Sequence, residues 1–379
     1  MTSMQSLSAL DRERVRNVKK AYTTHRVPRD TMAILIDGDI KPNAGDLVLA
    51  RVDRLGHHTK LELPDGRRAQ MFAGDEIVVC YGNRYATDQF EVLVGDDLSP
   101  CHLAAAGGVA GTVRASHDRA RRATRITPLG LIGDRRGQRL NLRDFALPRR
   151  ATPHRVPTLA VVGTSMNAGK TTAAAHLIKG LERAGYRVGA AKITGTGAGG
   201  DRWQMADAGA RDVLDFTDAG YASTYMISPR EVEEIYATLL GHLSAGGADI
   251  AVVELADGLF QKETAALLGS TRFQRSIDAI VFVAADSVGA VAGAQWLTGQ
   301  SLPLAALTGL VTRSPLAMRE VESWADIPVL ETTELGEPSV GRLVWEPVFA
   351  RRRERARRAA PDGEGLVAGL VARPALVAV

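Results

Sequence analysis

The sequence predicts an α/β protein in two parts: a domain built on a parallel sheet, preceded by a smaller β-rich domain of barrel or sandwich type. Three observations carry this expectation. After about residue 158, near-continuous apolar runs alternate with segments of helical period, the pattern of strands buried on both faces by crossover helices. Between residues 30 and 147 the apolar runs are short and separated by turn residues. Between these regions lies a Pro/Arg-rich stretch, residues 148–157, which reads as a linker.

Taken in order, residues 1–29 hold Arg12, Arg14, Arg16, Lys19 and Lys20 and read as a basic helix, either a solvated face or a partner contact. In the β-rich region, apolar runs fall at Ala33–Ile36, Asp46–Val52, Lys60–Leu63, Glu76–Cys80 and Phe90–Val94, and resume at Gly107–Val113 and Thr127–Ile132. Asp37-Gly38, Pro64-Asp65-Gly66 and Ala73-Gly74-Asp75 are the turns between them, and Leu61 to Arg67 is a hairpin signal. The region has no metal-ligand spacing and no nucleophile–base pair; His57-His58 reads as turn surface.

The second domain is expected over residues 158–346, with a basic, then apolar, tail over 347–379. Strands are expected at Leu159–Gly163, Arg187–Ile193, Val213–Phe216, Ile250–Leu255, Ala279–Ala284, Ala305–Val311 and Pro328–Leu330. Thr171–Arg183 is an amphipathic helix, stopped at Ala184-Gly185. Ser228-Pro229-Arg230-Glu231 is a capping box with Pro in the first turn, and the helix it opens places Val232, Ile235, Tyr236, Leu239, Leu240 and Leu243 on one face.

The strand at Leu159 runs into Gly163-Thr164-Ser165-Met166-Asn167-Ala168-Gly169-Lys170-Thr171-Thr172. Strand, glycine-bounded turn and helix start form the order of a P-loop, and they make this a P-loop NTPase domain in expectation. Backbone N–H groups must turn inward onto phosphate oxygens, which crowds the chain and favours Gly. The helix N-terminus adds unpaired N–H groups and a positive dipole end. Gly163, Asn167, Ala168, Gly169, Lys170, Thr171 and Thr172 are therefore the expected nucleotide-binding residues, with Lys170 facing the phosphates and Thr171 a magnesium ligand. Five residues separate Gly163 from Gly169, one more than the commonest spacing.

In such a sheet, ligands bind at the carboxyl ends of the strands, where further stretches stand. Lys192 leaves a strand into the Gly-rich run Gly195–Gly200, which ends in Asp201. Glu254 ends a buried strand before Leu255-Ala256-Asp257-Gly258. A buried carboxylate without a partner is costly, so Glu254 reads as a metal or water ligand, with Asp257 the alternative. Thr312 follows the strand at Ala305–Val311.

Together these residues resemble dethiobiotin synthetase and its relatives in the Min-type branch of P-loop proteins. The longer loop spacing, the strand-end lysine at Lys192 and the acidic strand end at Glu254 carry the resemblance over roughly residues 159–330. It implies ATP (GTP not excluded) with Mg²⁺. It also implies a metal shell of Thr171, Asp201 and Glu254, with Asp207 and Asp215 as rivals to Asp201. Catalysis falls to Lys170, Lys192 and Glu254, and Thr312 takes the place of the family's base-reading Asn. The sequence departs from the family at Ile193, at Leu255-Ala256-Asp257-Gly258, and at Ser165, where Min-type ATPases carry an additional Lys.

Composition narrows the function further. The 379 residues are 45% hydrophobic and 24% charged with a net charge of +4, ordinary for a soluble globular chain. Basic residues are 39 Arg against 8 Lys, so a Lys kept at a strand end suggests a need for a compact point charge. Cys80 and Cys101 are the only cysteines and belong to no CxxC pair, which excludes a zinc ribbon or a disulfide framework and suits the cytoplasm. The N-terminus lacks the layout of a secretory leader, and no apolar run approaches the roughly 18 residues of a membrane span. The expected function is an ATP-dependent enzyme acting on a small-molecule substrate, a ligase or synthetase or a kinase, by phosphoryl transfer or by carboxylate or carbamate activation. The alternative is a nucleotide-switched assembly or delivery protein. A homodimer is admitted, no membrane is involved, and nucleic acid is not the expected partner.

Overall fold

Near-continuous apolar strands can be stable only where both faces of the sheet are covered. In the structure, a computed structural model that describes residues 6–150, 155–339 and 344, this holds for the C-terminal half. Its elements, numbered here within that half, are β1 (Thr158–Gly163), α1 (Lys170–Arg183), β2 (Val188–Lys192), α2 (Gly200–Asp207), β3 (Asp212–Asp215), α3 (Pro229–Ala245), β4 (Ile250–Glu254), α4 (Lys262–Leu268), α5 (Thr271–Ser276), β5 (Ala279–Val283), α6 (Ser287–Gly299), β6 (Leu304–Thr308) and α7 (Pro315–Trp324). The six strands are parallel in the order β3-β2-β4-β1-β5-β6.

Strand β1 lies inside the sheet, and its side chains divide by parity. Leu159 and Val161 pack with Ala173, Ala174, Leu177, Ile178 and Leu181 of α1 on one face. Ala160 and Val162 pack with Val232, Ile235, Tyr236 and Leu239 of α3 on the other. Burying each large apolar side chain contributes about 1.5–3 kcal/mol, so the strand that feeds the loop is held from both sides. Helix α3 starts where the sequence signals it: Ser228 Oγ accepts from the Glu231 N–H at 3.3 Å, and the Glu231 carboxylate accepts from the Ser228 N–H at 2.9 Å. The expected strand Pro328–Leu330 is only a single bridge, Leu307 to Val329, and the run after Thr308 tightens into a 3₁₀ turn, Leu310–Arg313.

In the N-terminal half the sheet closes on itself. Thr124–Gly133 pairs with Leu47–Arg54, which pairs with Glu76–Tyr81; the path continues through Val109–Ser116 and Cys101–Ala105 and returns to Thr124–Gly133. The barrel is mixed, since Val109–Ser116 runs parallel to Glu76–Tyr81. Parity again explains it: Val48, Ala50 and Val52 enter one apolar cluster, while Leu47 and Leu49 enter another. The hairpin of Lys60–Glu62 and Arg68–Gln70 turns at the expected Pro64-Asp65-Gly66.

Among the described residues, 6–29 do not form the single basic helix expected over 1–29. Within them Ser6–Ala9 is a strand and only Arg12–Asn17 is α-helical. The basic cluster is engaged internally: Arg14 pairs with Glu76 at 2.6 Å and Lys19 with Asp75, while Lys20 donates to the Val27 carbonyl. Arg12 and Arg16 of the same stretch are exposed. Pro148 accepts from His242 of α3 at 2.8 Å and Arg149 pairs with Glu234 at 2.5 Å, so the start of the Pro/Arg stretch lies along α3. Residues 151–154 and the tail 347–379 lie outside the described residues.

The barrel sits on the Gly-rich run after β2. Tyr22 donates to Asp215, His25 Nε2 is 3.0 Å from Asp218, and Glu62 accepts from the Gly199 N–H at 2.9 Å. A Cβ on Gly107 would lie 2.1 Å from the Gly197 carbonyl oxygen, so here main chain meets main chain. Gly107→Ala should destabilise the protein by about 1–3 kcal/mol, the usual effect of overpacking. A control at Gly299, where an added Cβ meets nothing within 4 Å, should be neutral or stabilise by up to about 1 kcal/mol. Urea unfolding of both variants measures the difference, and equal midpoints would show that the barrel does not bear on this loop.

Candidate functional site

The loop leaves the carboxyl end of β1 and wraps the start of α1. Asn167 and Gly169 take positive φ, 62° and 103°, which lets the chain reverse and aim its N–H groups into the turn. Lys170 is buried, and its Nζ donates to the Ser165 carbonyl at 2.6 Å, so the lysine folds back across its own loop. Ala168 is buried beneath the turn, and its carbonyl accepts from the Leu310 N–H at 3.3 Å.

Register brings the remaining groups together. Lys192 and Glu254 are directly paired at the ends of β2 and β4, and Val161 of β1 pairs with Glu254. The Thr171 hydroxyl lies 3.1 Å from Glu254 Oε1 and 3.2 Å from Asp201 Oδ1. Lys192 forms an ion pair with Asp201 and stands 3.8 Å from Glu254 Oε1. Glu254 is 1% exposed, and its Oε2 is buried with no hydrogen-bond partner. Lys170, Thr171, Lys192, Asp201 and Glu254 line one cavity of about 530 Å³, with Asn167, Gly169 and Thr172 of the loop, Asp257 and Leu310.

The electrostatics follow from burial and neighbours. Burial works against the Lys192 charge, but Asp201 and Glu254 outweigh it and raise its pKa. Burial likewise lowers the Lys170 pKa and raises that of Glu254. Asp257 is pushed up to about 6 by burial, with Lys170 and Lys192 opposing. Burial also opposes ionisation of Asp201, but Lys192 and the Thr171 hydroxyl lower its pKa overall.

Several sequence expectations find other places here. Asp201 stands in the first turn of α2 rather than in an open loop. Its rivals are elsewhere: Asp207 is exposed, and Asp215 is buried holding Tyr22 and Thr217. Thr312 is buried with its hydroxyl on the Gly309 carbonyl at 2.9 Å; from this segment it is Leu310 that lines the cavity. Trp203 packs against the hairpin tip, where a Cβ on Gly66 would lie 2.6 Å from its Nε1. The glycines at 197 and 199 are closed by Thr23, Tyr22 and Trp203, so their smallness serves docking of the barrel rather than approach of a substrate.

Sequence reasoning missed one wall of the cavity altogether. His58, Arg84, Tyr85, Ala86, Gln89, Ala105 and Ala106 come from the barrel half and face the loop. His58 is not turn surface: its Nε2 lies 3.0 Å from the Ala104 carbonyl, so in the neutral ring Nε2 carries the proton. Asp88 accepts from the Asn167 side-chain amide at 3.0 Å, tying this wall to the loop tip. No spacing signal links residues so far apart in sequence.

The stretch that carries the loop has a counterpart among known families. Residues 158–292 match the family model described as molybdopterin guanine dinucleotide synthesis protein B. No curated protein matches the chain. Similar solved structures include the signal recognition particle receptor FtsY from Elizabethkingia anophelis, with 17% identity over 56% of this chain and 76% of that chain and a TM-score of 0.36. Another is the signal recognition particle 54 kDa protein from Aeropyrum pernix K1 in complex with GDP, with 21% identity over 55% of this chain and 50% of that chain and a TM-score of 0.34. Fold and loop together define a nucleotide-binding P-loop protein of the NTPase class. About a third of the chain is similar to the molybdopterin guanine dinucleotide synthesis protein B family.

The buried wall carries a pH dependence. Burial, then the neighbouring Arg84 charge, lowers the His58 pKa from 6.5 to about 4. Between these values the unfolded chain takes up a proton that the folded protein refuses, so stability is lost as pH falls through that window. Melting temperatures recorded from pH 7 to pH 4 should fall less for His58→Gln than for wild type. Parallel curves would place His58 in contact with water.

Proposed function

We propose that the cavity binds a magnesium nucleoside triphosphate and that the protein uses it to act on a small molecule, by phosphoryl transfer or by activation of a carboxylate or carbamate. The observation that carries this reading is the convergence of Lys170, Thr171, Lys192, Asp201 and Glu254 on one cavity at the strand ends. The loop N–H groups and Lys170 receive the phosphates. Lys192, whose charge its carboxylate neighbours stabilise, is a fixed point charge for the transferring group and not a proton acceptor. The barrel wall excludes water and fixes the second substrate opposite the phosphates.

Thr171, Asp201 and Glu254 are the residues that would hold magnesium. The unpartnered Glu254 Oε2 fits that role, since a buried carboxylate oxygen is costly without a cation or donor. Among the described residues no group of three or more His, Cys, Asp or Glu could form an all-protein cage; magnesium usually takes one or two carboxylates and completes its shell with phosphate and water. When bound, it neutralises phosphate charge.

The name of the matched family supports a guanine nucleotide ahead of the adenine nucleotide suggested by the dethiobiotin-synthetase resemblance. The Min-type relationship rests on the longer loop, and the domain limits at residues 30–147, 148–157 and 158–346 belong to the same proposal. A cytoplasmic place suits two free, buried cysteines, and among the described residues no helix is long and apolar enough to cross a membrane. Exposed Val288, and exposed Phe260 set against Trp296, offer apolar surface for a homodimer. The second reading, a nucleotide switch, is favoured by the Asn167–Asp88 bond, through which the loop could signal to the barrel.

Lys170→Ala should abolish calorimetric binding of both GTP and ATP in the presence of magnesium. Absence of binding to folded wild type would overturn the proposal. Glu254→Gln and Lys192→Arg should each lower kcat by about a hundredfold or more, ~3 kcal/mol, with nucleotide affinity changed only a few-fold. Turnover that responds to a protein partner and to no metabolite would favour the switch.

A further inference from the structure

Arg84 lines the nucleotide cavity from the barrel side and is 6% exposed. Two of its nitrogens are fixed: Nη1 donates to the Ala104 carbonyl at 2.5 Å and Nη2 to Gln89 Oε1 at 2.7 Å. Its Nε is buried without a partner. Among the described residues no carboxylate forms an ion pair with it, although Asp88 and Asp257 are near enough to act on its charge. Neither is hydrogen-bonded to it: Asp88 Oδ2 accepts from Asn167 while its Oδ1 is buried without a partner, and Asp257 feels Lys170 and Lys192 ahead of Arg84.

A buried guanidinium hydrogen-bonded by neutral acceptors alone is costly, and two carboxylates that act on its charge without a hydrogen bond offset that cost only in part. The fork geometry of Arg suits a planar or tetrahedral oxyanion, and the two bonds to Ala104 and Gln89 orient it in advance. The triphosphate already has Lys170, Lys192 and the loop N–H groups on the sheet side. Arg84 stands in the other wall, beside His58, Tyr85 and Ala86.

We propose that Arg84 is the anion anchor of the second substrate, receiving an oxyanion group, carboxylate or phosphate, of the small molecule that shares the cavity with the nucleotide. This rests on the enzyme reading given above. The substrate class is thereby narrowed to anionic small molecules, and Arg84 becomes a specificity-determining residue contributed by the barrel.

Calorimetry on the full chain tests it, with succinate and inorganic phosphate as probes, each titrated with and without a magnesium-bound, non-hydrolysable GTP analogue. Wild type should bind at least one probe saturably, and which one distinguishes a carboxylate from a phosphate. Arg84→Met should weaken that binding about tenfold or more and leave the affinity for the GTP analogue within about twofold. A comparable loss of nucleotide affinity would instead assign Arg84 to the triphosphate. Equal probe binding by wild type and Arg84→Met, or no binding of either probe to wild type, would remove the proposal. If wild type binds a probe but no nucleotide, the enzyme reading fails and the anchor stands. Should Arg84→Met not fold, Arg84→Lys, which keeps the charge but loses the fork, should still weaken the probe severalfold; unchanged binding would again refute the anchor.

Discussion

Charges removed from water must be balanced where they lie, and this constraint organises the centre of the molecule. Lys170 and Lys192 come from the sheet side, and Asp201, Glu254 and Asp257 surround them in the same cavity. Each would be costly alone. Together they offset part of that cost, most fully for the Lys192–Asp201 pair, and the single Thr171 hydroxyl lies within reach of two of the acids. The arrangement requires that β1, β2 and β4 be neighbours and in register, because only then do their last residues meet. Double-sided burial of those strands enforces the register, so the apolar cores and the polar site are one solution to the same packing problem.

Much of the site was legible in the sequence because its signals are local. A strand, a glycine-bounded turn and a helix start occupy one short stretch, and each residue type answers to a nearby physical need. The place of Glu254 in the cavity was legible for a related reason: a carboxylate at the end of an apolar run is costly to bury without a partner. The capping box at Ser228 and the hairpin tip at Gly66 were also read from immediate neighbours. Closure of the barrel was not, since Cys101–Ala105 carries little alternation and closes the ring through partners on two different strands. Nor was the His58–Arg84 wall, because nothing in a linear pattern says which surface of one half faces which loop of the other.

The Gly-rich run after β2 is a signal that names no partner by itself. Its glycines do mark a close approach of backbone. What approaches is the barrel, with Thr23 and Gly107 against Gly197, and Tyr22 against Gly199. The hydrogen bonds of Tyr22 to Asp215, of His25 to Asp218, and of Gly199 to Glu62 fix the same contact. The barrel is therefore seated on the segment that carries Asp201, and its position bears directly on the acid that Lys192 holds.

The contact at Gly107 and Gly197 has an evolutionary consequence. Where side chains meet, a change on one surface can be compensated by a change in size or charge on the other, and the two surfaces drift separately in small steps. Main chain against main chain leaves no side chain to adjust. A substitution at Gly107 meets only the backbone of Gly197 and Ala198, so it is met only by moving the loop that leads to Asp201. The two halves are thus expected to be inherited as a matched pair, and grafting the barrel of a distant relative onto this nucleotide-binding half should fail at this junction even where every residue of the phosphate loop is kept.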